Sequence, residues 1–199
     1  MQLIVGLGNP GQDYEKTRHN LGFMVLGEMF ALVRQKKFRC LSARPTAETV
    51  IALPQTFMND SGQSVASLMR FYRLAHDSLW VIHDDIDLPL GAIKVQFNRS
   101  SAGHRGVQSI IDSLGSQAFH RFRLGVAGAG RKKIEVEKYV LQSFKKTEKK
   151  LVEEMLIRTR LAITLGMEQG LVAAKEYLAK NRRSSPDKKT KSTPNGLDE

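Results

Sequence analysis

The chain has 199 residues, 41% hydrophobic and 26% charged, a composition that suits one domain with a sizeable core. No run approaches the roughly 20 apolar residues of a membrane span, and the single cysteine, Cys40, excludes an internal disulfide framework or a CxxC metal knuckle. With 31 Lys and Arg against 20 Asp and Glu, the net charge is +11 and the pI near 9.9, which points to a polyanionic partner such as nucleic acid, the plainer alternative being a solvated surface that promotes solubility.

The sequence opens directly on a strand, with no secretory leader, so a cytoplasmic location is expected. Leu3, Ile4 and Val5 form a short, β-branched run bounded by Gly6, the pattern of a buried strand. Gly6, Gly8, Asn9, Pro10 and Gly11 forbid regular structure beyond it. Tyr14, Arg18, His19 and Asn20 follow, before an amphipathic pattern at Phe23, Leu26, Phe30 and Val33 that predicts the first helix. His19 is therefore expected at a helix N-terminus, where the imidazolium is disfavoured. Residues 6–11 also satisfy GxGxxG, but a dinucleotide site needs a helix opening on the loop and an acidic residue about 20 positions on. The helix signal begins only near His19, and residues 34–44 hold five basic residues and no carboxylate.

Residues 38–43 and 49–53 read as a hairpin, its second strand stopped by Pro54. Phe57-Met58-Asn59 leads into a helix with Val65, Leu68, Met69 and Tyr72 on its buried stripe, and Asp60 with Gln63 resembles a capping box. Residues 78–82 form a strand that runs into His83-Asp84-Asp85-Ile86-Asp87. Carboxylates thus collect at a strand exit, where ligands bind in open α/β sheets. Residues 92–97 read as a strand, 98–106 as a polar loop, 107–114 as a helix, and 122–127 as a further strand flanked by Arg121, Arg123 and Arg131. From about Val136 the chain is helical, with Val152, Met155, Leu156, Ala162, Ile163 and Met167 on a packed face. Residues 181–199 contain two prolines and no apolar periodicity, which predicts a disordered basic tail after a domain at 1–180. Five or six strands alternating with helices predict the α/β class: a single three-layer domain with a mixed, mostly parallel twisted sheet flanked by helices.

The chemistry is narrowed by elimination. The sequence has no GxSxG elbow, HExxH or P-loop, and its five histidines (19, 76, 83, 104 and 120) are spread singly. Asp84, Asp85 and Asp87 could hold a hard cation such as Mg2+, but no phosphate-handling loop accompanies them, so no metal and no cofactor is expected. What remains is a histidine, a carboxylate and side-chain amides at strand exits, a set suited to hydrolysis by activated water. Amides from Asn9 and Asn59 could donate to an oxyanion or fix a backbone-like substrate. Loop and cap chemistry explains the same asparagines, so the residues alone leave both readings open.

Six blocks carry a more specific signal: GLGNPGQDYEKTRHNLGF (6–23), PQTFMNDSGQSV (54–65), VIHDDIDLPLGAIKV (81–95), SAGHRGVQSI (101–110), FHRFRLGVAG (119–128) and YVLQSF (139–144). With these, in this order, the chain resembles the bacterial type I peptidyl-tRNA hydrolases over roughly residues 2–180. The resemblance implies hydrolysis of the ester joining a peptide to the 3′-terminal ribose of tRNA, by a monomeric enzyme without a metal. It implies that His19 is the base that activates water, that Asp84 orients and stabilises it, and that Asn9 distinguishes N-blocked from free aminoacyl groups. Tyr14, Phe57 and Asn59 match positions assigned to contacts with the tRNA end and the peptide. Arg123 matches a basic position implicated in gripping the tRNA 5′ phosphate, with Lys94 on the neighbouring strand. One departure is Arg105, which stands where the family usually carries Asn in a GHNG loop; an arginine there is expected to grip the 3′-terminal phosphates, the alternative being a tolerated surface change. The rival expectation is an RNA-binding protein of the same fold that has lost catalysis, as in a plant organellar splicing factor resembling the family. Retention of Asn9, His19, Asn59 and Asp84 argues against it.

Overall fold

A computed structural model describes residues 1–128, 131 and 134–181. Strand β1 (Gln2–Gly6) forms the middle of a seven-stranded sheet with β2 (Val33–Gln35), β3 (Cys40–Thr46), β4 (Thr49–Pro54), β5 (Leu79–Pro89), β6 (Ile93–Phe97) and β7 (His120–Ala127). The order is β2-β3-β4-β1-β5-β7-β6. The four inner strands are parallel, and antiparallel pairs close both edges. This is the mixed, mostly parallel sheet expected from the alternation of strands and helices.

Side chains alternate between the two faces of each strand. Leu3, Val5, Leu79 and Val81 pack with Val65, Leu68 and Met69 of α2 (Ser61–Tyr72) and with Val107 and Ile110 of α3 (Arg105–Leu114). Ile4, Trp80, Ile82, Phe122 and Leu124 face the opposite layer, built from α1 (Leu21–Gly27), α4 (Val136–Val140), α5 (Lys149–Gln169) and α6 (Leu171–Lys180). Both faces of the central strands are covered, as a parallel sheet requires. Among the described residues no helix is long and apolar enough to cross a membrane.

Several local expectations are corrected. The first helix stops at Gly27 rather than continuing to Val33. Phe30 packs on the same core from a non-helical segment, which is why its spacing mimics a helix, and Val33 opens the short, exposed strand β2. Asp60 is the N-cap residue of α2, yet its side chain accepts no helix N–H. Gln63 instead donates to its carboxylate at 3.4 Å, so the capping box does not form. Strand β5 does not end before the carboxylates, because β7 pairs with it through Asp85. Asp84, Asp85 and Asp87 therefore lie within the strand. Helix α3 begins at Arg105, two residues early, and the C-terminal region divides into three helices. Asn181 follows α6, while the rest of the expected tail, residues 182–199, lies outside the described residues.

Candidate active site

Strand β1 ends at Gly6, level with Ile82, and the Leu7 N–H donates to the Ile82 carbonyl at 2.9 Å. Strand β5 thus carries His83, Asp84 and Asp85 past the end of its neighbour, and the segment from Leu7 to Asn20 turns over that opening. Two glycines make the turn possible. A Cβ on Gly6 would lie 2.3 Å from the Gly22 carbonyl oxygen, and one on Gly22 would lie 2.3 Å from the Leu7 nitrogen and 2.4 Å from the Ile82 oxygen. With hydrogen at both positions, α1 rests directly on the strand ends and His19 sits in the short 3-10 turn Arg18–Asn20 that leads into it.

The turn is anchored from below. Arg18 is only 1% exposed; its guanidinium lies 4.5 Å from the Tyr139 ring centroid and 4.6 Å from that of Phe144, and its Nη2 meets Glu148 at 2.7 Å. Its backbone N–H donates to the Gln142 carbonyl. A buried cation held this way has an ionic partner and two ring faces in place of water, so the residue beside His19 is fixed to the segment that joins α4 to α5.

Asp84 is the centre of the constellation. His19 Nδ1 lies 2.8 Å and His104 Nε2 lies 3.0 Å from the same oxygen, Oδ1. The Val107 N–H donates to His104 Nδ1 at 3.3 Å, so the proton of His104 resides on Nε2 and is donated to Asp84. His19 likewise donates from Nδ1, which leaves its Nε2 lone pair as the basic site. Burial alone would raise the Asp84 carboxyl, but the electrostatic attraction and hydrogen bonds of the two ring N–H groups, from His19 and His104, outweigh it and hold the group well below the usual carboxylate range. Asp84 is therefore an ionised acceptor. His83 Nδ1 donates to the Asp84 carbonyl oxygen at 2.7 Å, and burial, reinforced by the neighbouring His104, keeps its ring neutral, well below the usual histidine value.

One ligand atom from each of His19, Asp84 and His104 lies within 4.8 Å of the others, a grouping with the donors of a metal site. The hydrogen-bond pattern opposes that use, because the His104 nitrogen facing Asp84 carries the proton. The sequence did not single out His104. Its only local signal was the loop Gly103-His104-Arg105-Gly106, and nothing in the spacing of single histidines announces that three of them converge.

Asn9 is 7% exposed and held on three sides. Its N–H donates to Asn20 Oδ1 at 2.9 Å, Asn20 Nδ2 donates back to its carbonyl at 2.9 Å, and its Oδ1 accepts the Met58 N–H at 2.8 Å. The amide orientation is thereby fixed, with Nδ2 bound to no other group among the described residues. Met58 lies between Phe57, 58% exposed, and the exposed Asn59. The exits of β1 and β4 are thus joined by one hydrogen bond, which puts Asn9 beside the segment that carries Phe57 and Asn59. Tyr14 ends the short 3-10 turn Gln12–Tyr14 of the same loop and is half-buried, with its ring edge near Gly11.

A cavity of about 360 Å3 is lined by His19, Asp84, His104, Arg105, Arg131 and Glu137, among others. Arg105, at the start of α3, forms an exposed ion pair with Glu137 of α4, so its guanidinium bridges the cavity rim. The loop before it is tethered where the buried Arg121 donates to the Ser100 carbonyl at 2.6 Å. Arg123 is bound to Asp85 and to Gln96. Lys94 is its register partner across β6 and β7 and is exposed.

Residues 3–187 match the family model described as peptidyl-tRNA hydrolase. The chain is 41% identical over 184 residues to the peptidyl-tRNA hydrolase of Aquifex aeolicus, covering 89% of this chain and 95% of that one. It is 42% identical over 181 residues to that of Akkermansia muciniphila, covering 87% and 93%. The crystal structure of peptidyl-tRNA hydrolase from Acinetobacter baumannii superposes with a TM-score of 0.81 at 31% identity, covering 89% of this chain and 94% of that one. Sequence, fold and the order of the matched segments agree: the chain belongs to the peptidyl-tRNA hydrolase family.

Proposed function

We propose that the chain hydrolyses the ester between a peptide and the 3′-terminal ribose of tRNA, with His19 as the general base. His19 Nε2 takes a proton from water, and the oxygen adds to the ester carbonyl carbon. The tetrahedral intermediate then expels the ribose oxygen, which recovers the proton from the His19 imidazolium. Peptide and tRNA are the products, and atoms and charge balance without a cofactor. Asp84 holds the His19 ring in the required tautomer and offsets its positive charge, while His104 keeps the carboxylate aimed. The observation that carries this reading is the shared Asp84 oxygen: two imidazoles donate to one buried carboxylate, and only His19 then keeps a lone pair for water.

Asn9 donates from Nδ2 to the peptide portion, and Tyr14, Phe57 and Asn59 receive the peptide and the terminal nucleotide. The tRNA acceptor arm approaches over Arg105 and Lys94. Arg123 already shares its guanidinium with Asp85 and Gln96, so the exposed Lys94 is the stronger phosphate contact and Arg123 supports it from below. The enzyme acts as a cytoplasmic monomer. The test is turnover of a purified peptidyl-tRNA, together with N-acetylated and free aminoacyl-tRNA. His19→Ala is expected to keep tRNA affinity and to lose roughly 10²–10⁴-fold in turnover, the usual worth of general-base help. A His19→Ala protein as active as the wild type, or equal hydrolysis of free and blocked esters by the wild type, would rule out these roles.

A further inference from the structure

The excess positive charge is not concentrated at the catalytic cavity, whose lining sets Asp84, Asp85, Asp87 and Glu137 against Arg105 and Arg131. Seven cations gather elsewhere, along β2, β3 and the last turn of α2. Residues 29–46 contain Arg34, Lys36, Lys37, Arg39 and Arg44, residues 61–73 add Arg70 and Arg73, and neither stretch holds a carboxylate. All seven are exposed. Among the described residues none of them forms an ion pair within 4 Å. The nearby Glu48 feels Arg44 but is bound to the N-terminal amino group at 2.9 Å.

Between these segments lies a groove of about 690 Å3 lined by Val33, Phe38, Arg44, Val50, Phe71 and Tyr72, among others, with Lys37 over the Phe38 and Phe71 rings and Arg70 and Arg73 next to Phe71 and Tyr72 in the chain. Phe71 is 53% exposed, lies 5.0 Å from Phe38 and edge-on to Tyr72 at 4.9 Å, and has the Lys37 ammonium 4.4 Å from its centroid. The buried stripe of α2 is made by Val65, Leu68 and Met69, so core packing does not account for an exposed phenyl ring at this position. Helix α2 has 12 residues and so runs about 18 Å, from a start next to Met58 to an end at Phe71 and Tyr72. The groove is accordingly a separate surface from the cavity around Asp84.

We propose that this groove binds an unpaired stretch of RNA, with one base stacked on Phe71 and the flanking phosphates met by Lys37, Arg39, Arg44, Arg70 and Arg73. Aromatic platforms inside a cationic rim are how proteins hold single strands without reading sequence. A second copy of this chain would bring seven cations against seven, and a paired duplex has no free base face to offer the ring. The choice of RNA over DNA rests on the proposed tRNA substrate; the surface chemistry does not.

The test is fluorescence anisotropy with a labelled oligouridylate of about 12 nucleotides, a length within the span of known single-strand sites, and a blunt RNA duplex of the same length. The wild type is expected to prefer the single strand. Phe71→Ala should weaken that binding by roughly 5- to 150-fold, the worth of one base–aromatic stack, whereas Phe71→Trp should retain it. Lys37→Gln should lower the salt dependence by about one ion. Ester hydrolysis by all three variants should match the wild type, so a failure of the catalytic reading would leave this result standing and the reverse. Unchanged single-strand binding by Phe71→Ala would overturn the proposal, as would a wild-type dimer that Phe71→Ala dissociates in sedimentation.

Discussion

At Asn9, structural and chemical duties are carried by different atoms of one side chain. Oδ1 accepts the Met58 N–H and so joins the exits of β1 and β4, while Nδ2 is the group offered to substrate in the proposed mechanism. Asn9→Ala removes both and leaves a buried N–H without its partner, a loss of about 1–3 kcal/mol. Asn9→Asp keeps an acceptor for Met58 but has no amide donor. The expected outcome is therefore a split. Urea midpoints should fall more for Asn9→Ala than for Asn9→Asp, whereas both should lose at least about tenfold on the blocked ester, in line with removal of an aimed donor. Equal activity of Asn9→Asp and the wild type would leave Asn9 with a structural duty alone. Asn9, His19 and Asp84 were legible in the sequence through the ordered blocks that resemble the family; their places near strand and helix ends alone left their roles open. His104 was not, because its duty depends on Val107 binding one ring nitrogen so that the other can donate to Asp84.

Among the elements, α1 has the tightest seat. A Cβ on Gly22 would meet the Leu7 nitrogen and oxygen and the Ile82 oxygen within 2.6 Å, backbone atoms of β5 and of the residue that follows β1. Gly22→Ala must lift α1 off β1 and β5 and carry His19 with it. It is expected to cost about 1–3 kcal/mol, the usual range for overpacking, and to lower kcat more than it changes KM. Gly27→Ala is the control within the same helix, because its Cβ would meet only Leu53 Cδ1 at 3.9 Å; stability and turnover should stay near wild type. Turnover retained in Gly22→Ala would mean that α1 does not position His19. Periodicity found α1, α2 and α3 but misjudged where α1 ends and α3 begins, and it read α4, α5 and α6 as one helical region. Phe30 reaches the core without being helical, and β5 continues through its carboxylates on the strength of pairing with β7. Such pairing is non-local and leaves no trace in a window of neighbouring residues.

For the whole molecule, the burial that assembles the site also ties folding to pH. His83 is 2% exposed, donates to the Asp84 carbonyl and faces the His104 ring at 4.7 Å, with Arg121 nearby. Burial first, and His104 second, hold it well below the usual histidine value. The unfolded chain takes up this proton near pH 6.5 while the folded chain does not, so stability declines as pH falls below about 6.5, by roughly 1.4 kcal/mol per unit for one such group. His120 is shifted in the same direction, chiefly by burial, and adds to the slope. Asp84 acts in a separate window: its lowered value contributes stability that is present above about pH 3.9 and is lost as pH falls further. Urea unfolding between pH 8 and pH 5 should therefore show a falling free energy in the wild type. A His83→Asn protein, which keeps a donor for the Asp84 carbonyl but has no ring to protonate, should show a slope reduced by up to one proton. An identical slope in the variant would assign the acid sensitivity to other groups and leave His83 as a hydrogen-bonding side chain only.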